Sequence, residues 1–273
     1  MIIDGHAHSC GEFFEPECII TGLDELKVDK VVLCPGVKNG PGKYNFIPGF
    51  AAVLRKADIM LGINKTIRLL AKIQKPGDLL TGNEYVYSLQ LQHPDRIIQF
   101  FWADPTSEEI EAHLHQKFAA WGFKGIKVHQ CTQKSDCTSP GLDVVINFAR
   151  EKEIPVFIHL WSPGEVRKFM ATAQKNPEVN FIIAHLIGLE TLIKHKATLN
   201  NIYFDISPAP LISSQRISMA VDNFGADKVI LGSDTPFGKN NLRKNIQKVT
   251  QLKISLREKE LILGENLRRI LKI

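Results

Sequence analysis

The sequence predicts a TIM-type (β/α)8 barrel with a helical insertion after its second strand. Three observations predict it: eight short apolar runs recur along 273 residues, several lack any polar alternation, and helical stretches separate them. Runs such as Val156-Phe157-Ile158 and Phe181-Ile182-Ile183-Ala184 suit strands covered on both faces, as in a parallel sheet wrapped by helices. Eight strands alternating with helices over this length favour a closed barrel over an open, doubly wound sheet.

Taken in order, the expected strands are residues 1–8, 30–35, 96–103, 122–129, 155–160, 180–185, 202–207 and 228–233. The connection from the second to the third holds about sixty residues, where an α-crossover needs far fewer. Within it, 48–61 and 64–75 read as extra helices and 84–92 as the crossover helix. The expectation is a single domain over residues 1–273, with 36–80 forming a helical cap. Because this segment leaves the C-terminal end of a strand, it should lie over the catalytic face. It is rich in cations, among them Lys38, Lys43, Arg55, Lys65, Arg68 and Lys72. They read first as a solvated helical face and second as a site for an anionic substrate. Further helices are expected over 107–120, 139–152 and 164–176. The terminal Ser255-Leu256-Arg257-Glu258 is a capping box ahead of a helix that should break near Gly264 and resume to Ile273.

Hydrophobic residues make up 44% and charged residues 23%, enough to bury a core without disulfides or a structural metal. A net charge of +5 and a pI near 8.9 fall short of the concentrated basic stripe of a nucleic-acid binder. Five cysteines form an odd set with no C-x-x-C pair, which suggests reduced thiols and a cytoplasmic setting. No signal peptide and no membrane-length apolar run is read, so neither nucleic acid nor membrane is an expected partner.

The chemistry gathers at the strand ends. His6 and His8 close the first strand on one face, since side chains alternate along a strand, and two imidazoles so placed can converge on one ion. His159, His185 and Asp234 each follow an apolar run of the fifth, sixth and eighth strands. Buried imidazoles and carboxylates need partners. In a barrel these ends share one mouth, where a common divalent cation would satisfy them together.

The stretches IIDGHAHS, NEYVYSLQLQHPDR, FKGIKVHQ, FIHL, FIIAHLIG, VILGSDTPFG and ILGENLRRILKI together resemble the amidohydrolase superfamily. The resemblance is to its amidohydrolase-related branch of metal-dependent hydrolases and carboxylate decarboxylases, and it spans nearly the whole chain in order. It implies metal ligands at His6, His8, His159 and Asp234, and a sixth-strand histidine, His185, that binds metal or touches substrate. The insertion has no counterpart in that family and inherits nothing from it.

The expected cofactor is a divalent metal, zinc, with one ion per chain rather than two. Asp234 serves as ligand or close neighbour, as general base towards a metal-bound water, and then as acid towards the leaving group. His185 is the second catalytic candidate, polarising the substrate carbonyl or orienting the nucleophile. Lys127 keeps three readings open: a carboxylated bridge between two metals, as in binuclear relatives; a contact to an anionic substrate; or plain structure. His129 and Trp161 are candidates for lining the pocket, Asp4 for supporting a ligand imidazole, and Asp205 reads as structural.

The expected function is hydrolysis of a small ester, lactone or amide. The alternative is decarboxylation or hydration of an unsaturated or aromatic carboxylic acid with the same ligands, which fold alone cannot distinguish. A TatD-like nuclease would carry glutamate where Lys127 stands, and a non-catalytic barrel would lack a ligand; neither sign is present. The expected partner is a small, anionic substrate, and a homodimer is the commonest assembly for such a chain.

Overall fold

The computed structural model describes residues 1–40, 59–73, 78–133, 135–195, 199–238 and 240–273. All eight expected strands form: β1 (Ile3–Cys10), β2 (Lys30–Gly40), β3 (Ile97–Trp102), β4 (Gly125–His129), β5 (Val156–His159), β6 (Phe181–Ile183), β7 (Ile202–Asp205) and β8 (Val229–Ile230). They lie in chain order, each parallel to the next. The seam between the first and last closes through backbone contacts. The Gly5 amide donates to Leu231 O at 2.9 Å, the His8 amide donates to Thr235 O at 2.8 Å, and Ala7 bridges Thr235. The expected TIM-type barrel is borne out.

The helices are α1 (Pro16–Glu25), α2 (Ile59–Ile73), α3 (Leu79–Gln92), α4 (Ile110–Trp121), α5 (Gln130–Gln133) and α6 (Pro140–Glu151), then α7 (Pro163–Lys175), α8 (Leu189–Lys194), α9 (Ser214–Phe224), α10 (Asn241–Gln251), α11 (Leu256–Glu260) and α12 (Asn266–Leu271). Their ends follow local chemistry. Proline occupies the first turn of α1, α6 and α7, where its missing N–H costs nothing. Ser162 caps α7 by accepting from the Glu165 amide. The capping box at Ser255 and Glu258 forms as expected. The expected break near Gly264 is instead a π-helical turn, Leu261–Glu265, that runs on into α12. A Cβ on Gly264 would stand 2.5 Å from Met1 O, so glycine there lets the turn press against the first strand.

Of the expected 36–80 insertion, residues 41–58 and 74–77 lie outside the described residues, and most of the expected helix 48–61 lies there too. The expected helix 64–75 corresponds to α2, which starts earlier, at Ile59. The crossover 84–92 falls within α3.

Alternation divides the strands' apolar residues between two layers. One cluster, with Val31, Leu33, Phe101, Ile126 and Ile158, packs outward against the helices. The other, with Val32, Ile98, Phe100, Trp102, Phe157 and Ile182, fills the barrel. A Cβ on Gly125 would lie 2.5 Å from the Phe100 ring, so the missing side chain makes room for that ring. Above this plug the inward positions turn polar, and the site begins. No described helix is long and apolar enough to cross a membrane.

Candidate metal centre at the barrel mouth

His6, His8 and Asp234 bring one ligand atom each within 4.8 Å of one another, and all three are buried. Asp234 Oδ1 lies 3.3 Å from His8 Nε2 and 3.5 Å from His6 Nε2. The two rings cross at 64°, so their in-plane lone pairs can meet at one point.

The far side of each ring fixes its tautomer. His8 Nδ1 lies 2.7 Å from Pro35 O on the neighbouring strand. A carbonyl only accepts, so Nδ1 carries the proton and Nε2 is left bare. His185 Nδ1 is held the same way, 2.8 Å from Ser207 O. His6 Nδ1 lies 3.0 Å from Ser207 Oγ, whose own proton goes to Asp205 Oδ2 at 2.5 Å, and 3.3 Å from Asp205 Oδ2. Metal-binding histidines are held in this way, with one ring nitrogen tethered to a carbonyl or carboxylate and the other free. Burial pushes His6 and His159 well below the usual imidazole range and lowers His185, so all three are neutral, the form that binds a cation. The donor set fits a divalent ion.

His159 has the opposite arrangement. The Asn64 side chain, fully buried on α2, donates from Nδ2 to Leu160 O at 2.9 Å, which turns its Oδ1 towards His159 Nε2 at 2.7 Å. His159 Nε2 must therefore carry its proton. The ring stands 4.9 Å from that of His185 and stacks on His129 at 4.0 Å and 14°. A ligand atom of His159 also groups with His129 and Cys131. Imidazole lone pairs lie in the ring plane, and two nearly parallel planes cannot share one ion, so we read this second group as packing.

Lys127 is buried, with Nζ 3.0 Å from His6 Nε2 and 4.1 Å from the centre of the Phe157 ring. Burial lowers its pKa, with the Cys34, Asp234 and Asp205 charges opposing. This hydrogen bond and a cation on His6 Nε2 are alternatives at one lone pair.

Asp4 holds the seam: its Oδ1 accepts from the Ser233 amide at 2.8 Å and the His6 amide at 3.3 Å. Burial raises its carboxyl to about 7. Trp161, half-buried just past β5, lies under the Arg68 guanidinium. His185 and Asp234 both take left-handed backbone, φ 60° and 56°, a conformation that side chains other than glycine adopt only when their surroundings impose it. The Asp234 amide, donating to His6 O at 2.7 Å, ties that turn to β1.

The sequence did not single out Asp205, Ser207 or Asn64 for this site. Asp205 ends the apolar run Ile202-Tyr203-Phe204, the same signal that marked His159 and His185, and could have been found by it. Asn64 carries no such mark.

The sequence pattern of the amidohydrolase family matches residues 76–273, a span that includes Lys127, His129, His159, His185 and Asp234. The chain belongs to the amidohydrolase family. This bears out the expected superfamily and, with it, an enzyme. No curated protein matches the chain significantly. Among solved structures, 2,6-dihydroxybenzoate decarboxylase from Rhizobium superposes with a TM-score of 0.68 at 13% identity, covering 99% of this chain and 98% of that one. The 5-carboxyvanillate decarboxylase of Novosphingobium aromaticivorans, solved with manganese and 4-hydroxy-3-methoxy-5-nitrobenzoic acid, gives 0.68 at 14%, covering 100% and 96%. The 4-oxalomesaconate hydratase of Rhodopseudomonas palustris gives 0.67 at 17%, covering 100% and 96%. At such identities the likeness is one of fold.

Proposed function

We propose that the chain is a metal-dependent lyase that decarboxylates or hydrates an unsaturated or aromatic carboxylic acid. The observation that carries this reading is the trio His6, His8 and Asp234, in a barrel whose likenesses in fold include two decarboxylases and a hydratase. The expected hydrolysis of an ester, lactone or amide becomes the second reading, favoured by the family match itself.

His6, His8 and Asp234 would hold one divalent ion, with His159 joining them if its Nε2 leaves Asn64. Zinc suits imidazole and carboxylate donors, and manganese accompanies one structure of similar fold. When bound, such an ion supplies a Lewis acid for a substrate oxygen and a more acidic water.

The remaining steps fall to the chain's own groups. His185, neutral and with Nε2 bare, accepts a proton from a substrate hydroxyl or water and returns it to carbon. Asp234 is the second proton carrier, held at the mouth by its left-handed turn. The flat stack of Trp102, His129 and His159 walls a planar acid and keeps water from it. Lys127 would touch an anionic oxygen rather than bridge two ions.

The test is turnover by zinc- or manganese-loaded protein on hydroxybenzoates and conjugated dienoic acids, beside a panel of lactones, esters and amides. Carbon dioxide release or hydration is expected, and Asp234→Asn should abolish it while retaining most of the metal. Turnover confined to the second panel would replace this reading with hydrolysis. A chain that binds no divalent ion would end both.

A further inference from the structure

The chain leaves β6 through two left-handed residues in succession, His185 at φ 60° and Leu186 at φ 50°. A side chain with a Cβ is strained in that region, and a consecutive pair persists only where the surroundings over-determine it. Gly188, at φ 77°, completes the turn. A Cβ there would stand 2.4 Å from Val166 Cγ2, so the chain presses on α7 as it enters α8.

The way into the turn is held from β7. The His185 amide donates to Asp205 Oδ2 at 3.2 Å, and its ring Nδ1 donates to Ser207 O at 2.8 Å. The way out is held from α9. Arg216, buried on that helix, donates from Nη2 to Leu186 O at 2.9 Å. Its Nη1 donates to Glu190 Oε1 in the first turn of α8, four residues past Leu186. One guanidinium thus brackets the turn. Its donors form a rigid planar fork, so two acceptors taken together are fixed relative to each other. The ring so held is 5.3 Å from that of His6 and 4.9 Å from that of His159.

We propose that Arg216 is a positioning residue: through Leu186 O it fixes the left-handed turn, and with it the place where His185 presents its bare Nε2 to the barrel mouth. This rests on the reading of His185 as a proton carrier. A buried ion pair adds little net stability over apolar packing of the same volume. What the Arg216–Glu190 pair adds is a defined backbone beside a residue whose ring must stand in one place.

Two measurements on the zinc-loaded full chain test this, and only the second needs turnover. In nitrogen-15 spectra the His185 Nδ1–H should give an imidazole signal protected from exchange with water, assigned by its absence in His185→Gln. Arg216→Lys, a point charge without the fork, should lose that protection. On whichever acids or esters the chain turns over, the same variant should lower kcat roughly 10- to 100-fold, the cost of displacing a reacting group by about 1 Å. KM and zinc affinity should stay at wild-type values, because His6, His8 and Asp234 lie off the turn. Glu190→Gln keeps an acceptor for the fork and should retain both protection and kcat. The double variant Arg216→Met, Glu190→Leu replaces the pair with apolar side chains and carries the test if the lysine variant fails to fold. If Arg216 only joins α8 to α9, its replacement lowers the melting temperature while protection and kcat stay at wild type, which overturns the proposal. Lost protection in a chain with no turnover would keep the clamp and remove the proton-carrier reading. Turnover that needs His185 but not Arg216 would do the reverse.

Discussion

Asp205 has no exposed surface, and its two oxygens serve four donors: His6 Nδ1 at 3.3 Å, Ser207 Oγ at 2.5 Å, and the amides of His185 at 3.2 Å and Ser207 at 3.1 Å. It sets the tautomer of one candidate ligand and the backbone of the neighbouring strand end. Asp205→Asn replaces one acceptor with a donor, so His6 loses its orientation. Divalent-ion affinity in a chelator competition should fall by roughly 10- to 100-fold, the usual cost of losing a group that orients a ligand. Unchanged affinity would return Asp205 to the structural reading its sequence context suggested. Gly232 guards the same carboxylate, since a Cβ there would stand 2.1 Å from Asp205 Oδ1. Gly232→Ala should lose ion binding while circular dichroism still reports a barrel. His159, His185 and Asp234 were legible because each follows an apolar run, where a polar side chain needs a reason, and His6 and His8 because alternation puts both on one face of the first strand. The tautomers were not, because they depend on carbonyls such as Pro35 O and Ser207 O that only the closed barrel brings into reach.

Elements were legible where local chemistry decides them. The eight strands follow from apolar runs, α6 and α7 from helical spacing, and α11 from the capping box at its start. What escaped was set by neighbours, such as the π-turn, which the close approach of Gly264 to Met1 permits. The join of α7 to β6 depends on another remote group. Asn201 Nδ2 reaches Ala173 O at 3.1 Å, Asn176 O at 2.9 Å and Val179 O at 3.0 Å. Asn201→Ala leaves these buried carbonyls without that donor, which should cost about 2 kcal/mol. A urea midpoint unchanged from the wild type would show that water or backbone replaces it.

At the scale of the molecule, burial governs how the fold responds to alkali. Burial raises Cys10, Cys34 and Cys131 from 9.0 to about 12, and Cys137 higher still. A group held above its unfolded value gives its full contribution below that value and loses it as pH climbs towards the folded one. Stability should therefore fall from about pH 9 towards 12. Lys248 acts in the opposite sense: burial lowers it from 10.5 to about 8, so folding gains as pH passes through that interval. Two buried lysines, Lys248 and Lys127, stand against four thiols, and the net expectation is a urea midpoint that declines above pH 9. The decline should be shallower in a Cys131→Ala, Cys137→Ala double variant. In the native protein only Cys18, the exposed thiol, should react with a thiol reagent at neutral pH; rapid reaction of a second would contradict the burial. The seam of the barrel has one more consequence. Asp4 and Ser233, joined across it, are 229 residues apart, so His6 and His8 leave the ribosome long before Asp234 does. Until then a nascent chain offers a passing cation only part of the candidate ligand set, and any loading waits for the eighth strand to emerge.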